Sequence, residues 1–383
     1  VPLLVCAMAP SVLQSAPKKE RLEKMSKIEE YFTVQVNGRN PYVIDNTAKT
    51  DLDRDKLYKD DCHFVAPAIP EGGKPLKLVT LFVGGAGVKM NPPKSDFMYN
   101  YMHMGEVLNS LGYAVLNISG LPREYCTDHG MPRPGGAQCM NWMAIESFRK
   151  AYDYVRNKYP IDESGVFVYG ESQGGGCAEN VVEMSGVPIR CTVLDAPSIS
   201  MQYHQVFRVA RRNGMVQQVL RALYEVNDMA SYRANRAKYA ILDPFTRGTD
   251  SELGDLFLDE SQVKGNATGF RPGVTLDDIK VKKTRRNNSS LFVMVGVGDN
   301  IISPDVMLAY ARMIQNGGGN VCVKAYAASM FSGGTHGVIQ YTAKHATIPS
   351  VFTGKALPIT RGFHDMLVFY QRNGGIGLDR LTY

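Results

Sequence analysis

Residues 166–176 read VFVYGESQGGG. Four β-favouring residues run into Gly170-Glu171-Ser172-Gln173-Gly174, which fits the pattern Gly-x-Ser-x-Gly. The pattern predicts a sharp turn from strand into helix, with the serine in a strained conformation and its hydroxyl raised above the sheet edge. Small residues on either side let the strand and helix backbones pass close together. The helix N-terminus points its free N–H groups at the same place. Gly and Ser are common, so five residues alone say little. The signal comes from context, since the pattern follows a strand and precedes a helix.

Working outward, KLVTLFVGG (77–85), YAVLNIS (113–119), CTVLDAP (191–197), LFVMVGVGD (291–299) and VCVKAYA (321–327) read as buried strands. Between them, Trp142, Ile145, Phe148, Tyr152, Val155 and Tyr159 recur at helical spacing and stop at Pro160. Cys177, Ala178, Val181 and Val182 mark one face of the helix after Ser172. Ser303-Pro304 opens another helix that Gly317 closes. A last helix is expected from about Pro358 to Arg372. Continuous apolar strands alternating with helices predict an α/β fold, a mostly parallel sheet with helices on both faces. YFTVQVNG reads as an antiparallel edge strand within an N-terminal extension, 1–60. Between the core segments 61–198 and 286–383 lies 199–285, where no strand is expected. A structureless loop of that length is improbable, so a helical cap insertion is expected there. Val216, Val219, Leu220 and Leu223 form one helical face in it, and Tyr203, His204 and Tyr224 are candidates to reach a ligand.

A serine hydroxyl needs a base, and the base needs an orienting acid. On this type of sheet the partners follow in the order Ser, acid, His. His336, in the small-residue loop SGGTHG just past the last strand, is the expected base. His345 and His364 are the alternatives. Asp299, at the end of VMVGVGD, is the expected acid, with Asp195 as its rival; Asp305 is expected to support a helix N-terminus. The oxyanion donors are expected to be the backbone N–H of Gln173 and one from Gly85 or Ala86 in the loop Gly84-Gly85-Ala86-Gly87. Glu171, Arg123 and Tyr125 are further candidates to contact substrate, with Tyr203. His129 and Arg133 share the loop of Arg123 and Tyr125.

The bulk numbers bound the function. The chain has 383 residues, 44% hydrophobic, and a formal net charge of +6. The densest basic cluster, Lys280, Lys282, Lys283, Arg285 and Arg286, has no interleaved aromatic residues. It reads as a solvated connector rather than a nucleic-acid surface. No apolar run reaches the roughly 18 residues of a membrane span. The apolar start, VPLLVCAMAP, reads as the remnant of a signal segment or the edge of a longer polypeptide, with a lean toward export. Seven scattered cysteines contain no CxxC pair, so no metal site is indicated. Cys126 and Cys139 share one loop and would be placed to pair in an exported protein.

GGAG, GESQGG, GVGD and GGTHG, in that order, resemble the α/β-hydrolase superfamily over roughly 61–198 and 286–383. The resemblance implies a Ser-His-Asp triad, no metal and no organic cofactor. GESQGG and the large insertion are similar to esterases and to the catalytic domains of prolyl-oligopeptidase-type peptidases. Val83 stands where the lipase loop HGGG has histidine. The expected function is a serine esterase acting on a small or carbohydrate-linked acyl group. A prolyl-oligopeptidase-type peptidase is one alternative; such enzymes carry a large β-rich domain ahead of the hydrolase domain, which the 60 residues here cannot hold unless the polypeptide begins earlier than Val1. A non-catalytic module within a larger assembly is the other.

Overall fold

The computed structural model describes residues 25–43, 56–69, 72–84, 90–131, 139–210, 214–247, 253–258, 269–299, 301–327 and 336–383. Eight strands form the main sheet: β1 Lys27–Asn37, β2 Leu57–Pro67, β3 Leu76–Phe82, β4 Ala114–Ile118, β5 Ile161–Glu171, β6 Ile189–Asp195, β7 Ser290–Gly296 and β8 Val321–Tyr326. Their spatial order is β1-β2-β4-β3-β5-β6-β7-β8. Strand β2 runs antiparallel to both its neighbours, and every other adjacent pair is parallel. This is the mostly parallel α/β sheet that the alternating pattern predicts.

Alternate residues of the central strands feed two apolar cores. In β5, Val166 and Val168 face one core and Phe167 and Tyr169 the other. Helices α2 (Trp142–Lys158), α3 (Gln173–Met184) and α5 (Pro304–Asn316) cover the first face. Helices α1 (Met104–Leu111) and α6 (Arg361–Arg372) cover the second. With both faces dry, strands read as unbroken apolar runs rather than as alternation. Among the described residues, no helix is long and apolar enough to cross a membrane.

The final helix starts later than its sequence suggests. Ala356–Thr360 is a strand paired antiparallel with Lys344–Pro349, and Pro358 sits within it. Thr360 then caps α6 by accepting the Phe363 N–H. Proline is tolerated there because a two-stranded ribbon leaves edge positions without a ladder bond.

Between β6 and β7 the described residues include helices at Met201–Ala210, Gly214–Tyr224 (α4) and Met229–Ala234. Val216, Val219, Leu220 and Leu223 of α4 are buried in the first core, where Tyr224 packs edge-on against Trp142. The basic cluster is not uniformly solvated. Arg285 is buried and pairs with the equally buried Glu179 of α3, while its Nη2 donates to Thr192 Oγ1 at 3.2 Å. Tyr310 of α5 donates to the same Glu179 at 2.6 Å. Burying a guanidinium is tolerable because its donors are met by a carboxylate and oxygen acceptors. Cys126 and Cys139 are buried cysteines outside any disulfide, as are Cys62, Cys177, Cys191 and Cys322.

Candidate active site

Strands β3, β5, β6 and β7 run the same way, so their C-terminal ends share one edge of the sheet. At that edge β5 turns through Ser172 directly into α3. Ser172 has φ 51° and ψ −124°, left-handed for a residue with a Cβ. Holding it there costs on the order of 1–3 kcal/mol, which the surrounding contacts must offset. The Ser172 N–H donates to the Asp195 carbonyl at 3.0 Å, and its own carbonyl accepts from Ser198 N–H at 2.6 Å.

The glycines make the turn sterically possible. A Cβ on Gly170 would lie 2.6 Å from that of Ala178, and one on Gly174 would lie 2.0 Å from the Phe82 carbonyl oxygen. Gly84 has the same constraint from the adjacent strand, since its Cβ would fall 2.3 Å from Ser172 Cβ. Strand β3, the elbow and helix α3 are thus packed at backbone contact.

Ser172 Oγ lies 2.8 Å from His336 Nε2, and His336 Nδ1 lies 3.0 Å from Asp299 Oδ2. The Asp299 Oδ1 accepts N–H groups from Ile301 at 2.8 Å and Ile302 at 2.9 Å, which fixes the carboxylate's orientation. The His336 side chain is 16% exposed, so the imidazole remains accessible from solvent. Burial lowers its pKa, but the hydrogen bond and charge of Asp299, then the charges of Glu171 and Asp195, more than reverse this and leave it raised above 6.5. The structure therefore brings together Ser172, His336 and Asp299. His345 lies elsewhere, in the Lys344–Pro349 strand with its ring against His364 and Tyr383. Asp305 lies in the first turn of α5, where it accepts the Phe270 N–H at 3.3 Å.

Asp195 has a different set of partners. Its Oδ1 accepts Val338 N–H at 2.6 Å, and its Oδ2 accepts Ile339 N–H at 2.9 Å and the Tyr169 hydroxyl at 3.0 Å. Burial, then the Glu171 charge, push its carboxyl up to about 7 against the pull of those donors.

Glu171, expected at the substrate, is buried. Its Oε2 accepts the Gly84 N–H at 3.2 Å, and its Oε1 lies where a Cβ on Gly337 would meet it at 3.0 Å. Tyr101 stands on the same side, donating to Gln340 Oε1 at 3.1 Å, and burial followed by the Glu171 charge raises its hydroxyl pKa. Tyr101 carries no motif, and its approach depends on the fold alone. Gln173 opens α3 directly after Ser172. Gly85, Ala86 and Arg133 lie outside the described residues. Tyr125 is buried, stacked on His129 and edge-on to Trp142; Tyr203 is buried against Phe245 and Phe257. Arg123 is exposed and donates to Asn91 Oδ1 at 3.1 Å. His204 is buried, and its Nδ1 accepts the Ile199 N–H at 3.1 Å.

No protein-family model matches the chain, and no curated protein does. Solved structures with a similar course include a protein described as a dipeptidyl aminopeptidase IV from Bacteroides ovatus, at 12% identity and TM-score 0.46 over 79% of this chain and 32% of that one. A thermostable esterase from Pseudomonas putida matches at 17% identity and TM-score 0.42, over 80% of this chain and 75% of that one. An acetyl xylan esterase from Paenibacillus sp. R4 matches at 14% identity and TM-score 0.41, over 78% of this chain and 83% of that one. The chain spans about a third of the length of the Bacteroides protein and of a prolyl endopeptidase that it also resembles.

Proposed function

We propose that this chain is a serine hydrolase that cleaves a carboxylic ester with a small or carbohydrate-linked acyl group. The observation that carries the reading is the continuous hydrogen-bonded series Ser172–His336–Asp299 at the end of β5. Ser172 Oγ attacks the ester carbonyl as His336 Nε2 takes its proton. Asp299 holds the imidazole in the tautomer with the proton on Nδ1 and stabilises the imidazolium that forms. His336 then returns the proton to the leaving alcohol, and water attacks the acyl-enzyme by the same route. In this reading the backbone N–H of Gln173, at the start of α3, donates to the developing oxyanion. A second donor is proposed from Gly85 or Ala86. In this reading residues 199–285 act as a cap that sets which ester enters.

The test uses a fluorophosphonate probe, p-nitrophenyl esters of increasing acyl length, acetylated sugars and an aminoacyl-proline amide. Labelling of Ser172 is expected, with short acyl esters turned over and the amide left intact. Ser172→Ala is expected to abolish labelling and lower kcat by on the order of a million-fold. A Ser172→Ala variant keeping more than a few per cent of activity would overturn the assignment. Preferential cleavage of the amide would replace an esterase by a peptidase.

A further inference from the structure

Asp195 is the last residue of β6 and is fully buried. Through its main chain it accepts the Ser172 N–H at 3.0 Å. Through its side chain it holds the N–H groups of Val338 and Ile339, one on each oxygen. Val338 lies two positions after His336, with Gly337 between them at φ 82°. A single residue thus fastens the backbone at the serine and the backbone just past the histidine. The third bond, from Tyr169, stops the carboxylate from rotating between the two amides.

We infer that Asp195 is a positioning residue that sets the separation between Ser172 and His336. This rests on reading those two residues as nucleophile and base. Asp299 acts on the ring of His336, through Nδ1, and fixes which way the imidazole faces. Asp195 acts on the main chain that carries the ring, and so fixes where the imidazole is. Neither can replace the other. A ring correctly turned but displaced by an ångström loses about a hundredfold in rate. Both oxygens are needed, because two adjacent N–H groups must be met at once. An amide at this position offers one acceptor and sets an NH2 against the second donor.

The experiment compares wild type with Asp195→Asn, an isosteric change, after circular dichroism confirms that the variant folds. Three measurements are made: kcat and KM on the best ester, hydrogen exchange of the Val338 and Ile339 amides, and the low-field proton NMR signal of His336 Nδ1–H. The expected result is a kcat lower by about a hundredfold, with KM within about twofold. Faster exchange at the two amides should accompany it, with a shifted or broadened Nδ1–H signal. Wild-type kcat in a folded Asp195→Asn would overturn the inference, as would protected amides and an unmoved proton signal. A lowered melting temperature with unchanged kcat would also overturn it, leaving Asp195 a stabilising residue alone. Should the wild type turn over no ester, the hydrolase reading fails, while the exchange and proton measurements still decide whether Asp195 holds the histidine backbone.

Discussion

Strands β6 and β7 lie side by side, run parallel, and each delivers an aspartate to the same edge of the sheet. Asp195 is the final ladder residue of β6, paired in register with Met294. Asp299 comes after β7 has ended at Gly296, and its N–H turns back to that residue's carbonyl at 3.1 Å. The two carboxylates consequently do different things. Both accept two backbone N–H groups, but the further partner of Asp195 is a buried hydroxyl, whereas that of Asp299 is an imidazole nitrogen. What separates them is reach. A ladder residue is held at the level of the sheet, where its side chain can only brace what packs there. A few loop residues lift an aspartate to the height of the serine hydroxyl, where a base can sit between them.

Of the two aspartates, Asp299 should have the larger effect when broken. Asp299→Asn is expected to lower kcat by about ten-thousandfold with folding intact, as expected for loss of the orienting acid of a triad. Asp195→Asn is expected to sit about two orders of magnitude closer to wild type. Equal losses in the two variants would erase the distinction. The pH profile sharpens it further. His336 must be neutral to act as base, and its pKa is raised, so kcat/KM should fall as pH drops through a value above 6.5. In Asp299→Asn the burial that lowers this pKa persists while the main raising influence is gone. The acid limb should therefore move to lower pH, and a limb that stays put would mean another group controls it. The smallest effect is expected from His345→Ala, since that ring packs against His364 and Tyr383 instead of the serine. Its kcat/KM should stay within about twofold of wild type in the same assay, and a larger fall would place a second histidine in the chemistry.

The elbow is legible because its constraints are local. Gly170, Ser172 and Gly174 fall within five residues, and the crowding they relieve comes from α3 and from the neighbouring strand end. His336 and Asp299 are legible as residues just past strand ends, in the order this type of sheet demands. The partners of Asp195 are not legible, because the N–H groups it accepts come from residues 143 and 144 positions away. Arg285 fails for the same reason. It sits in a basic run, and the carboxylate that draws it inside is 106 positions earlier, on α3. Tyr125 and Tyr203 look like ligand contacts because they are polar aromatics in the long loop after YAVLNIS and at the start of the insertion. In the fold each buries its ring against other aromatics, a common fate of a large amphipathic side chain. Glu171 looks like a substrate contact because it adjoins Ser172 in sequence; in the fold it is buried and its Oε2 accepts the Gly84 N–H.

The Arg285–Glu179 pair also says where this chain can be cut and rejoined. The sequence reading closes the insertion at residue 285, which puts the guanidinium on the removable side of the seam. A graft or deletion made there would leave the buried Glu179 facing Tyr310 without the arginine it pairs with. Losing one member of such a pair destabilises a fold by about 3–5 kcal/mol, comparable to the whole margin of many domains. The transferable unit therefore ends before Arg285, and a recombinant that exchanges the insertion while keeping this arginine retains the counter-ion on which α3, and with it the elbow, is seated.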